Sequence, residues 1–212
     1  MTIRKFILPF VLFLPLLAQA AGDSIAYGSG FRFRDGIFLR YEQFRSNSPV
    51  PKKSIISSYD TTRLDFVKTM LSYNSVHYRD TANLEQSVGS DKVWGYAENG
   101  AAYIYVNGQF NRITVVGSLC HFTAMETHYM YTGSPTPYGS PYGTPVQQLV
   151  QLILDTQTGN VLQFTPEVME KLLERDDALY KEFTALKKKK KKQSIFIYLR
   201  KYNEKHPLKF PA

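Results

Sequence analysis

Two Asn-Gly dipeptides, Asn99-Gly100 and Asn107-Gly108, sit within ten residues of each other between aromatic and aliphatic runs. Few short patterns commit a chain so firmly. A type I′ turn needs positive φ at both central residues, and Asn followed by Gly tolerates that best. The flanking runs, residues 93–98, 101–106 and 109–116, are therefore expected to form a three-stranded antiparallel meander. Two-residue loops also fix the register. Glu98 faces Ala101, Ala97 faces Ala102, Tyr96 faces Tyr103 and Trp94 faces Tyr105. Beyond the second turn Val106 faces Gln109, Tyr105 faces Phe110 and Tyr103 faces Arg112. Alternation along strands then puts Trp94, Tyr96, Tyr103, Tyr105, Phe110 and Arg112 on one face. Gly95, Ala97, Ala102, Ile104, Val106 and Ile113 take the other.

A second hairpin is predicted from residues 146–154 and 161–164, joined through a polar stretch containing Gly159-Asn160. Between the two units, residues 133–145 repeat Pro-Tyr-Gly, and their prolines and glycines forbid a regular ladder. That segment reads as an exposed loop. After Phe164 the pattern changes to helix. Thr165 before Pro166 is an N-cap with proline at the first helical position, and Asp176-Asp177 offers a second start. Leu179, Phe183 and Leu186 share one helical face, and Ile195, Leu199 and Tyr202 repeat the spacing. The expected fold is α+β: an antiparallel β-meander sheet domain over residues 21–164, with short helices, followed by a helical C-terminal segment over residues 165–212. The stretch Tyr41-Glu-Gln-Phe-Arg45 reads as one of those short helices, stopped before Pro49.

Composition bounds the class. A chain of 212 residues with 15 Tyr and 14 Phe is too aromatic to be disordered throughout, and one domain plus an appendage is the expected scale. The formal charge is +8, but it is not spread evenly. Arg4 and Lys5 precede an apolar run over residues 6–17 and an Ala18-Gln19-Ala20 motif, the three zones of a signal peptide over residues 1–20. Cleavage after Ala20 is expected, which places the protein in the periplasm or outside the cell. The rest of the excess is one run: Lys187, Lys188, Lys189, Lys190, Lys191 and Lys192. Without these two groups, positive and negative side chains are equal in number. The lysine run is expected to be solvated and to suit an anionic membrane or envelope surface. Nucleic acid is not an expected partner, because the run lacks interleaved Arg and aromatic groups.

Motifs for catalysis, cofactors and metals do not emerge from the sequence. Glu126 and His128 would share a strand face and could act as an acid/base pair, but nothing nearby supplies a third ligand for a metal. The lone Cys120 and its neighbour His121 would point to opposite faces, which separates a thiol from its base. Cys120 reads as a buried core residue.

Three stretches resemble a known group. Asp35-Gly-Ile-Phe-Leu-Arg-Tyr-Glu-Gln-Phe-Arg-Ser-Asn-Ser-Pro49, the Trp94-Gly-Tyr and Tyr103-Ile pair, and Ile197-Tyr-Leu-Arg-Lys-Tyr-Asn-Glu-Lys-His-Pro207 are similar to uncharacterised secreted proteins of Bacteroidetes type. The resemblance implies an envelope protein of unknown function and supplies no catalytic residue. Three functions are weighed. The first is a non-enzymatic exported envelope protein acting through surface interactions. The second is a glycan- or peptide-binding module using Trp94, Tyr96, Tyr103, Tyr105 and Arg112. The third, an envelope hydrolase built on Glu126 and His128, ranks last.

Overall fold

A computed structural model describes residues 24–130 and 144–211. The predicted signal peptide and nearly all of the Pro-Tyr-Gly loop lie outside the described residues. In chain order the elements are β1 (Ser24–Ala26), β2 (Gly36–Phe38), α1 (Tyr41–Arg45), β3 (Val50–Pro51), α2 (Phe66–Leu71), β4 (Ser75–Arg79) and β5 (Glu85–Gly89). The meander follows as β6 (Gly95–Glu98), β7 (Ala101–Val106) and β8 (Gln109–Val115). Then come β9 (Leu119–Met130), β10 (Thr144–Asp155), β11 (Val161–Gln163), α3 (Pro166–Leu173), α4 (Asp177–Thr184), α5 (Lys188–Lys205) and β12 (Lys209–Pro211). The protein is α+β: an eight-stranded antiparallel sheet in the order β11-β10-β9-β8-β7-β6-β2-β3, with helices at its C-terminal end.

Both Asn-Gly turns adopt the conformation their residues favour. Asn99 and Gly100 have φ of 54° and 75°, and Asn107 and Gly108 have 55° and 80°. The registers follow: Tyr96 pairs with Tyr103 and Glu98 with Ala101 across the first turn, Tyr105 with Phe110 and Tyr103 with Arg112 across the second. At Thr114 the β8–β9 ladder slips by one residue, and the Thr114 hydroxyl donates to the His121 carbonyl at 3.0 Å. The longest ladder joins β9 to β10, from Leu119–Asp155 to Met130–Thr144. The strand begins at Thr144, inside the stretch expected as loop. Pro145 is tolerated because β11 pairs only with Leu152, Ile153 and Leu154, leaving that flank of β10 without a neighbouring strand among the described residues to receive an N–H.

Apart from the exposed far ends of β9 and β10, the sheet carries packed cores on both faces. One face carries Ala97, Ala102, Ile104, Ile113, Cys120 and Phe122 against Phe33, Phe44, Leu208 and Phe210. The opposite face carries two separate cores. At the meander end, Ile37, Tyr96 and Val93 pack on Phe66, Val67, Met70 and Leu71 of α2. At the far end, Leu119 and Ile153 pack on Met169, Leu173, Phe183, Leu199 and Tyr202. The C-terminal segment therefore packs on the sheet. It is not helical to its end: β12 pairs antiparallel with β1 and delivers Phe210 to the first core.

Three buried carboxylates tie these elements together. Glu98, at the foot of the first Asn-Gly turn, accepts from the Val67 amide at 2.6 Å and the Lys68 amide at 3.4 Å, satisfying free N–H groups at the start of α2. Burial pushes its carboxyl above the usual range, and the amides only partly offset this. Asp155, at the end of β10, accepts both arms of Arg175 at 2.9 and 2.7 Å and the Thr158 hydroxyl at 2.8 Å. Burial alone would raise its carboxyl, yet these bonds and Gln157 hold it below the usual range. Asp176 caps α4 through the Leu179 amide, and Lys205 and His206, each at 2.7 Å, hold its carboxyl far down.

Two outcomes follow. A Cβ at Gly108 would meet nothing within 4 Å, so Gly108→Ala costs only backbone strain. It should lower stability by about 1–2 kcal/mol in urea unfolding, without changing the strand content seen by circular dichroism. For Asp155 and Asp176 the folded-state pKa lies below the unfolded one. Their contribution is present above about pH 4 and lost as pH falls through the folded values. Thermal unfolding from pH 7 to pH 2 should show declining stability, with a shallower decline in Asp155→Asn. An unchanged slope in that variant would refute the assignment.

Candidate functional site

The meander face points outward from β7 and β8 into a cleft of about 830 Å³. Its floor is Tyr103, Tyr105 and Phe110, each half-buried, with Tyr96 buried behind them. Tyr96 and Tyr103 stack face to face at 4.4 Å, the direct consequence of their pairing across the Asn99-Gly100 hairpin. Phe110 meets Tyr96 edge-on at 5.2 Å and Tyr105 at 4.9 Å. These contacts leave the rings little freedom, so they form a preformed platform. Burial, with the nearby Tyr103 and Glu98, pushes the Tyr96 hydroxyl far above its ordinary range, so it stays protonated.

The opposite wall comes from the end of α2 and from the turn before β6. Lys68, Ser72, Tyr73 and Asn74 stand on one side, with Ser90 and Asp91 beside them. The Ser90 hydroxyl donates to the Tyr73 carbonyl at 2.5 Å, and the Ser90 amide to the Asn74 carbonyl at 3.0 Å. The wall is thus braced at two points. The cleft pairs an aromatic floor with a rim of amide, carboxylate, hydroxyl and ammonium groups.

Two residues expected on this face do not line the cleft. Trp94 turns to the opposite core, its ring 5.0 Å from Phe44 and 5.6 Å from Tyr41. The regular pleat starts only at Gly95, where an added Cβ would lie 2.3 Å from the Tyr103 carbonyl oxygen. Trp94 lies just before the strand, so the alternation that places Tyr96 does not extend to it. Arg112 pairs with Tyr103 as predicted, but it is exposed and outside the cleft lining. The wall residues gave no sequence signal of their own, because they reach the site only through the packing of α2 on β6.

The lysine run occupies the start of α5. Lys187 is its N-cap, in extended conformation and without a capping side-chain bond. Lys188 to Lys192 form its first turns, at the positive end of the helix dipole, where cations are disfavoured. Lys191 departs from the expected solvated run: its ammonium reaches Glu170 at 2.5 Å and lies 5.5 Å over the Phe183 ring. The other five are exposed. Lys188, Lys189 and Lys192, with Phe164, Pro166, Ile195 and Phe196, line a groove of about 970 Å³ between the starts of α3 and α5.

Glu126 and His128 do meet on β9, Nε2 to Oε2 at 3.2 Å. They border a depression of about 410 Å³ that shares Gln151, Phe164 and Thr165 with the lysine-lined groove. The Thr165 hydroxyl in that lining caps α3, accepting from the Val168 amide. Cys120 and His121 diverge as expected. The thiol is fully buried, donates to the Gly117 carbonyl, and is pushed up to about 12 by burial. His121 packs edge-on against Phe164 and Phe196 on the other face, and burial lowers its pKa.

This architecture defines a small α+β protein with the aromatic cleft and the lysine-lined groove on the same side of its sheet. The chain belongs to a family of unknown function, DUF6563, whose model matches residues 36–206. No curated protein and no solved structure matches it.

The placement of the lysines gives a direct check. Lys189→Glu puts a favourable charge at the positive helix end, and should raise unfolding stability by about 0.3–1 kcal/mol at low salt. The gain should shrink as salt rises. A loss of stability would contradict the helix start at Lys188.

Proposed function

We propose that this protein is an exported, non-enzymatic envelope protein of the Bacteroidetes-type group it resembles, and that it binds a glycan in the Tyr103/Tyr105/Phe110 cleft. The observation that carries this reading is the cleft's composition. A fixed aromatic floor offers π-faces to the C–H face of a sugar ring, since those faces carry partial negative charge. The rim supplies Asn74, Asp91 and Gln109, whose donors and acceptors match sugar hydroxyls. A volume of about 830 Å³ suits a short oligosaccharide within the range of small-molecule sites. Peptide capture by strand addition needs a free sheet edge, and β7 and β8 are both flanked by neighbours. The sequence features of residues 1–20 support export and cleavage after Ala20.

Calorimetry of the mature protein against neutral glucose- and N-acetylglucosamine-based oligosaccharides tests the binding. Tyr105→Ala should weaken affinity at least tenfold, and Trp94→Phe, on the other side of the sheet, should leave it unchanged. Binding of unstructured peptides but no sugar, or sugar binding that survives Tyr105→Ala, overturns the reading. Mass spectrometry of the protein recovered after expression with its leader should give Ala21 as the first residue. An intact leader would refute export by cleavage.

A further inference from the structure

We propose that the groove between the starts of α3 and α5 binds a single-chain amphiphile with an anionic head, of which a long-chain fatty acid is the simplest example. The inference is independent of the glycan reading, because it uses other residues at the other end of the sheet. Its basis is a separation of chemistry within one cavity. The floor is apolar and aromatic: Phe164 and Phe196 meet edge-on at 4.9 Å, with Pro166 and Ile195 beside them. Below them His121 closes the aromatic triad, 5.1 and 4.8 Å from the two phenyl rings. Burial holds its imidazole toward the neutral form, so the floor carries no cation.

The rim is cationic. Lys188, Lys189 and Lys192 line the groove, and none of them takes part in the ion pairs found among the described residues. Lys191, in the same run, is instead held by Glu170. One carboxylate also faces the groove. Glu167 stays ionised, its carboxyl lowered by its own backbone amide and by Thr165, with Lys188 and Lys191 contributing. Three ammonium groups against one carboxylate leave the rim positive. The two helix starts, of an 8-residue and an 18-residue helix, add to that potential.

This division selects the ligand. A bare inorganic anion would gain nothing from the phenyl floor. A neutral sugar would gain nothing from three lysines. An acyl chain lying on Phe164 and Phe196 with its carboxylate among the lysines uses both. At about 970 Å³ the groove is at the upper end of the usual range for small-ligand sites. Binding also relieves the unfavourable lysine cluster at the helix start, so ligation should stabilise the fold by linkage.

Displacement of a dansyl-labelled undecanoic acid from the full mature protein tests this. Palmitate below its micelle concentration should displace the probe and raise the melting temperature. Hexadecanol, with the same chain and no charge, should be at least tenfold weaker. The triple variant Lys188→Gln, Lys189→Gln, Lys192→Gln should lose at least tenfold in palmitate affinity. The control Lys187→Gln, Lys190→Gln, outside the groove lining, should lose less than threefold. Circular dichroism establishes that both variants are folded. Displacement by phosphate at concentrations like those of palmitate overturns the proposal in favour of a simple anion site. Binding to phosphatidylglycerol vesicles with no binding of monomeric palmitate overturns it in favour of a surface contact by the lysine run. Equal losses in the two variants, or no palmitate binding by folded protein, also overturn it.

Discussion

The register set at Asn99-Gly100 is the constraint on which the meander end of the molecule depends. The turn brings Tyr96 directly opposite Tyr103 and leaves Glu98 as the last paired residue of β6. From that position its carboxylate reaches the free amides at the start of α2, while the Asn99 side-chain amide donates to the Leu64 carbonyl at 2.7 Å. A single hairpin thereby stacks the floor of the aromatic cleft and seats the helix that forms its wall. A register slip of one residue would turn both sets of side chains to the wrong faces. Burying Glu98 has a cost, visible in its raised carboxyl pKa, and the amide bonds are what make it tolerable.

The sheet acts as a partition. One face is closed by aromatic groups from both ends of the described chain, with Phe31 stacked on Phe210 at 4.3 Å. The other face is covered in two patches, α2 with the β4–β5 hairpin at one end and α3 to α5 at the other. Both clefts form on this second face, where each helical cover ends and leaves side chains of the sheet partly accessible. The outermost strands, β3 and β11, span two and three residues. Beyond the three residues that β11 covers, the outer flank of β10 from Thr144 is open among the described residues, with Pro145 interrupting its row of N–H donors.

At the helical end, local preference and arrangement conflict. Five lysines open α5, the reverse of what the helix dipole favours. The helix forms because its later residues, Ile195, Tyr198, Leu199 and Tyr202, are buried against the sheet and α4. Burial of such side chains is worth roughly 1.5–3 kcal/mol each, well above the charge penalty. Arg175 and Asp176, in the turn between α3 and α4, tie that turn to the end of β10 through Asp155 and to the end of α5 through Lys205 and His206.

Local chemistry in the sequence decided the elements whose signals are short-range. The Asn-Gly pairs dictated the meander and its exact pairing, because positive φ at two successive residues permits little else. Thr165 and Asp176 dictated two helix starts through side-chain caps. The stacking of Tyr96 on Tyr103 was legible for the same reason. What only the tertiary structure decided is everything that joins residues far apart in the chain. Trp94 precedes the first residue of β6 and packs with Tyr41 and Phe44 on the opposite core, a placement the alternation rule does not contain. Lys68, Asn74 and Asp91 became a cleft wall only when α2 docked on β6. The lysine run was compatible with a helix end, middle or start, since six identical side chains carry no periodicity. Packing of Ile195, Leu199 and Tyr202 on the sheet chose the start, and so placed those charges over Phe164 and Phe196.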